Sequence, residues 1–188
     1  MLNRSREIVR RGVGASAALA LPAAAACLAL GGAAAIATGA RAGSPTTANT
    51  LLRSAELWAT VDVCNSPHHP DTIGIRGSMP GDGRAKDVMY MRFLVQSLDA
   101  STGRWANIGR SADSGFVRVG SGAETRQAGR TFEFKPTANP YTLRGLVEFQ
   151  WHHAGRTAYV TTRVTMAHHT SVAGAEPKDF SAATCALP

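Results

Sequence analysis

All six histidines of this 188-residue chain fall in three adjacent pairs, His68-His69, His152-His153 and His168-His169. Imidazole is a common zinc and copper ligand and a general base near neutral pH. A metal centre needs three or four such groups converging on one point. Adjacent side chains on a strand point to opposite faces, so each pair offers one ligand per face. The segment from His152-His153 to His168-His169 would hold those pairs roughly 40 Å apart at the rise of a strand. Counting strands alternately up and down places the loop of His68-His69, flanked by Asp62 and Asp71, at the same end as His152-His153. The candidate metal set is therefore His68, His69, His152 and His153. The plainer expectation is solvated histidines in polar loops and no cofactor.

Other catalytic patterns fail on their spacing. Asp113-Ser114-Gly115 echoes the segment around a trypsin-like nucleophile, but Ala112 stands where that family has glycine. Gly120-Ser121-Gly122 lacks the spacing of a nucleophile elbow or a phosphate-binding loop. No C-x-x-C pair occurs. Trp58, Trp105, Tyr90 and Tyr141 offer an aromatic surface on which a glycan could stack, with Trp58 and Trp105 as the candidate ligand-binding rings.

The three cysteines point to the compartment. Cys27 lies inside an apolar N-terminal stretch, whereas Cys64 and Cys185 bracket most of the remaining chain. A basic start (Arg4, Arg6, Arg10, Arg11) is followed by an uncharged, Ala- and Gly-rich run from Gly12 to Ala40, then Ala40-Arg41-Ala42. This is the layout of a secretory signal, with cleavage expected after Ala42. An uncleaved anchor is the alternative, since the run is long enough to span a bilayer. Arg10-Arg11 also hints at twin-arginine export, and Cys27 follows Ala24-Ala25-Ala26 without the leucine of a lipobox. Removal of 1–42 leaves Cys64 and Cys185 as a single pair, expected to form a disulfide in an oxidising compartment.

Charge excludes one class of partner. The chain carries a formal +7, but five arginines and Glu7 in residues 1–42 leave fifteen basic and twelve acidic residues beyond them. Those basic residues are scattered rather than clustered, so no nucleic-acid footprint is expected.

The elements that would carry these groups are strands. After a Ser/Thr/Ala/Asn-rich linker at 43–52, period-two alternation runs through 56–64, 72–79, 88–98, 104–108, 116–119, 131–134, 143–151 and 158–166. Met89, Met91, Phe93 and Val95 share one face of the third strand; Val147, Phe149 and Trp151 share one face of the seventh. Ala158, Val160, Thr162, Val164 and Met166 are expected to be the matching inner face of the eighth. One helical turn is expected within 176–184. Turn residues between these runs imply a single antiparallel β-sandwich of seven to eight strands over 53–188.

The Trp-bearing long strand beside an apolar face resembles immunoglobulin and fibronectin type III sandwiches. The cysteines depart from the immunoglobulin pattern, lying at the end of the first strand and near the C-terminus. The chain also resembles exported one-disulfide proteins of high-GC bacteria, a resemblance that implies export but no particular activity. The resulting expectation is a non-catalytic exported binding module of the envelope or medium. Its partner would be an extracellular protein or glycan, and it would make no membrane contact once the leader is cut. The alternatives are a secreted metal-dependent hydrolase using the loop histidines, or a secreted protease inhibitor presenting Ser78–Arg84 or Gly120–Gly129 as bait.

Overall fold

The computed structural model describes residues 46–188. The expected signal or anchor at 1–42, with Cys27, lies outside the described residues, as do 43–45. The part of the expected linker that is described folds. Thr47 caps a short helix, α1 (Ala48–Leu52), by accepting from the backbone N–H of Thr50, and Leu51 is buried in the core.

Nine strands follow: β1 (Trp58–Ser66), β2 (His69–Met79), β3 (Arg84–Asp99), β4 (Arg104–Asn107), β5 (Asp113–Gly122), β6 (Arg126–Glu133), β7 (Tyr141–His153), β8 (Arg156–Val164) and β9 (Cys185–Leu187). Every strand pairing is antiparallel. The first sheet has the order β1-β2-β6, and the second has β4-β3-β7-β8, with β5 added to β3 and β9 added to β7. With β4 and β5 taken as additions to the edge of β3, β1-β2-β6 in one sheet and β3-β7-β8 in the other correspond to strands A-B-E and C-F-G. That is the arrangement of immunoglobulin-type sandwiches, without a D strand in the first sheet.

The core follows from the alternation in β3 and β7. Met89, Met91 and Phe93 sit opposite Trp151, Phe149 and Val147, and all six are fully buried. Gly77 on β2 lets the sheets approach there: a Cβ at this position would lie 3.1–3.3 Å from Met91, Val147 and Phe149. Trp151 is held by more than packing, since its indole N–H donates to the carbonyl of Pro80 at 2.9 Å. The β7–β8 connection is the two-residue turn Ala154-Gly155, both at positive φ, the backbone that matches the twist of a tight hairpin.

Two expectations about the last third of the chain are corrected. Phe149 pairs with Thr161 and Gln150 with Val160, so the apolar face of β8 points outward and Val160 is 54% exposed. Tyr159, Thr161 and Arg163 take the inward side. There Tyr159 meets Trp151 edge-on, and Arg163 donates to the carbonyl of Leu52 at 2.7 Å. Val164 shares the outer face with Leu146 and Leu94 through the register of β3, β7 and β8. The segment 176–184 is not helical. It contains a turn in which Phe180 N–H donates to Pro177 O, and it leads into β9.

Candidate functional site

Residues 165–184 form a strap over the first sheet. It leaves β8 with Met166 N–H donating to Ala59 O at 2.8 Å. It crosses the outer face as far as β6, where Gln127 bonds both Ser171 O and Ala173 N–H. It returns along the open edge of β1, where Ala182 and Val61 exchange two backbone hydrogen bonds. β1 is consequently buried on both faces, including Thr60 and Asp62. An open strand edge is a template for unwanted pairing, and the strap covers it. The strap ends at Cys185, bonded to Cys64 with Cα atoms 5.5 Å apart. The bond is the disulfide expected from the sequence. It fits an oxidising compartment.

Beneath the strap, Arg76 of β2 donates through Nε to Asp62 Oδ2 at 2.8 Å. The Asp62 side chain is 3% exposed and that of Arg76 is 21% exposed. Burial pushes the Asp62 carboxyl up, and the Arg76 charge and hydrogen bond only partly offset this. Gly129, the β6 partner of Arg76, and Gly174 of the strap flank the guanidinium. A Cβ at these positions would lie 2.9 Å from Cζ and 2.6 Å from an Nη, respectively. Beside them opens a cleft of about 280 Å3, lined by Arg76, His69, Arg130 and Thr131 among others. Glu176 of the strap lies beside the lining residue His69. It accepts from Ser66 Oγ at 2.6 Å and lies 3.3 Å from His69 Nε2.

The four histidines of the candidate metal set do not meet. β2 begins at His69 and ends at Met79, next to the Pro80 carbonyl that Trp151 reaches. His68-His69 and His152-His153 therefore sit at opposite ends of β2, roughly 30 Å apart. The counting of strands failed because β2 and β7 run in the same direction across the two sheets. His69 faces Glu176, while His153 Nδ1 lies 2.7 Å from Asp87 Oδ1. His152 lies against Tyr90 and 2.9 Å from Gln150 Oε1. His169 is not at the end of a straight eighth strand, because the chain turns off β8 at Val164 and folds back. Its ring stacks on Trp58 at 4.6 Å, and burial pushes its pKa down. No group of three or more His, Cys, Asp or Glu side chains able to hold a metal occurs among the described residues.

The candidate aromatic rings are also engaged. Trp58 lies under the strap with His169 on its face and is 9% exposed. Trp105 on β4 carries the Arg144 guanidinium 4.4 Å from its ring centre. The two are on different sheets and share no platform. Ser114 bonds the backbone of Phe93 and Gly115, and Asp113 is forked to Arg92, so neither stands free for nucleophilic chemistry. Ser78–Arg84 is not an exposed bait loop, because Ser78, Met79 and Asp82 are no more than 1% exposed.

Sequence reading missed Asp82 and Asp87, both 1% exposed. Asp82 was hidden in a Pro-Gly-Asp-Gly turn, where an aspartate ordinarily has only a local backbone role. It does accept from Arg84 N–H at 3.0 Å. It also lies near Asp87, whose negative charge adds to burial in pushing the Asp82 carboxyl up. Arg76 and Glu176 were missed for a different reason: their meeting depends on the path of the strap, which has no periodic signal.

No family model matches the chain, nor does any curated protein or solved structure. The likeness to immunoglobulin-type sandwiches therefore rests on strand order and pairing.

Proposed function

We propose that this chain is an exported, non-catalytic β-sandwich acting as a binding module of the cell envelope or the medium. The observation that carries the reading is the disulfide-tied strap: one covalent bond at its end secures a roof over the first sheet and shapes the cleft at Arg76. A staple of this kind suits a domain working outside the reducing cytoplasm. The basic start, uncharged run and Ala-Arg-Ala of residues 1–42 support export. The histidine–carboxylate contacts His69–Glu176 and His153–Asp87 support structural roles for groups that would otherwise suggest hydrolysis. The partner is an extracellular protein or glycan. The test is a pull-down from culture medium and envelope fractions of the native host, with the tagged full chain as bait. Saturable capture of one component, competed by untagged protein, is expected. Absence of any competed component, together with zinc-dependent hydrolase activity lost in His69→Ala, would replace this reading with the metal-hydrolase alternative.

A further inference from the structure

We propose that the cleft under the strap is a carboxylate-binding site, with the outer edge of the Arg76 guanidinium as its anchor. The inference deepens the binding-module reading and rests on it.

A guanidinium presents five N–H donors in a rigid plane, and two Nη nitrogens side by side match the two oxygens of a carboxylate. In this protein Asp62 engages Arg76 through Nε alone. Among the described residues, neither Nη donates a hydrogen bond within the fold. Asp62 thus fixes the plane of the group on a rigid strand pair while leaving its outer edge unused. Burying a guanidinium stem and then leaving donors open is costly unless water or a ligand takes them.

The walls are shaped around this edge. Gly129 and Gly174 bring bare backbone against the guanidinium, and a Cβ at either position would collide with it. Gly174 also holds φ at +73°, a backbone that side-chain-bearing residues adopt with strain. The remaining lining is Val63, His69, Arg130 and Thr131; Thr131 shares the Arg76 face of the sheet, whereas Arg130 pairs with the buried Ile75 and points its side chain to the other face. The nearby carboxylates are already engaged, Asp62 by Arg76 and Glu176 by Ser66 and His69. A cleft of about 280 Å3 is small for an elaborate ligand, since ordinary ligand pockets run from ~300 Å3 upward. It has room for a terminal carboxylate and the few atoms behind it. A sugar acid and an acylated amino acid share that chemistry, and the test separates them.

The experiment is an NMR titration of the isotope-labelled full chain with sodium glucuronate, with N-acetylglycine, and with glucose as the uncharged control. The proposal expects saturable shifts of the Gly129, Thr131 and Gly174 amides with a carboxylate and none with glucose. Glucuronate alone would identify a sugar-acid site; N-acetylglycine alone would identify an acyl amino acid site; both would mean that the carboxylate is the whole determinant. Arg76→Lys keeps a charge for Asp62 but loses the fork, and should weaken binding by at least about tenfold, the scale of one charged hydrogen bond. Thr131→Val, on the same sheet face as Arg76, should weaken it by a few-fold and serves if Arg76→Lys does not fold. No saturable shift with either carboxylate at about 50 mM, or an equal response to glucose, overturns the proposal. So does unchanged affinity in a folded Arg76→Lys. If that variant still captures the partner in the pull-down while carboxylate binding is absent, the binding-module reading stands and the site lies elsewhere.

Discussion

The carboxyl groups of Asp82 and Asp87 lie close together inside the fold, and Oδ2 of each has no hydrogen-bond partner. Two like charges close together in a buried place resist ionising together. His153 and Arg84 favour the charged form of Asp87: His153 Nδ1 lies 2.7 Å from Asp87 Oδ1, and the Arg84 guanidinium lies 3.8 Å from Asp87 Oδ2. Asp82 is therefore the member of the pair that takes a proton more readily. Burial pushes Asp82 up and its neighbour Asp87 adds to that. For Asp87 burial also pushes up, but its interactions with His153 and Asp82 outweigh it and the net shift is down. The pair sits where the β2–β3 connection, β5 and the β7–β8 hairpin meet, and Asp82 O accepts from Thr46 N–H.

The sign of the pH effect follows from the raised Asp82. A folded carboxyl above its unfolded value of ~3.9 contributes stability that is complete below that value and fades as pH rises through the raised one. Thermal melts from pH 4 upward should therefore show a loss with rising pH that Asp82→Asn reduces, because asparagine does not titrate. An Asp82→Asn protein whose melting temperature tracks the wild type at every pH would contradict the raised Asp82.

The acid limb has a different origin. The fork from Arg92 holds Asp113 down at about 2, with bonds of 2.9 and 2.6 Å. A depressed carboxyl contributes stability above its unfolded pKa of ~3.9, and that contribution is lost as pH falls through about 2. Asp113→Asn should flatten the melting curve between pH 4 and 2 while leaving the loss above pH 4 unchanged. The same variant altering only the curve above pH 4 would contradict this assignment.

Truncating Phe149 tests the core. Phe149→Ala should cost about 3–5 kcal/mol by urea denaturation, the range for a buried aromatic leaving a cavity. Val160→Ala, on the exposed outer face, should stay within about 0.5 kcal/mol. A loss above ~1 kcal/mol at Val160 would mean that the outer face of β8 is covered in solution.

The contrast between these two residues shows what was legible. Met89, Met91, Phe93, Val147, Phe149 and Trp151 alternate inside central strands, where one face must be apolar, so the phase of β3 and β7 was readable. β8 is an edge strand with Arg163 and Thr161 inward, and its apolar residues sit on the side that patterning assigns to the core. The disulfide was readable because cysteine number and compartment constrain it independently of topology. The strap was not. Its hold on the sheet comes from single hydrogen bonds by Ser181, Glu176 and Gln127 and from backbone bridges, none of which imposes a period. The Arg76 cleft inherits that opacity, since Gly174 and Asp62 are brought together only by the strap's path. The histidine pairs were conspicuous in sequence, yet topology separates His68-His69 from His152-His153.

Opening the disulfide should release the strap before the sandwich. The loop between Cys64 and Cys185 spans 121 positions, for which chain entropy gives up to about 4–5 kcal/mol. Cys64→Ser/Cys185→Ser should lower stability by up to that amount. Hydrogen exchange should quicken first at Ala173, Glu176 and Ala182, whose N–H groups bond to Gln127, Asp62 and Val61. Uniform acceleration across β3 and β7 as well would show that strap and sandwich unfold as one unit.

The proposed export and the Cys64–Cys185 bond are both tested by the intact mass of the protein recovered from its native host. Measured before and after reduction and alkylation, the extracytoplasmic material should have the mass of a chain beginning at or near Gly43, two hydrogens light, and should take up two alkyl groups only after reduction. A mass that retains residues 1–42, with thiols that label without reduction, would contradict both.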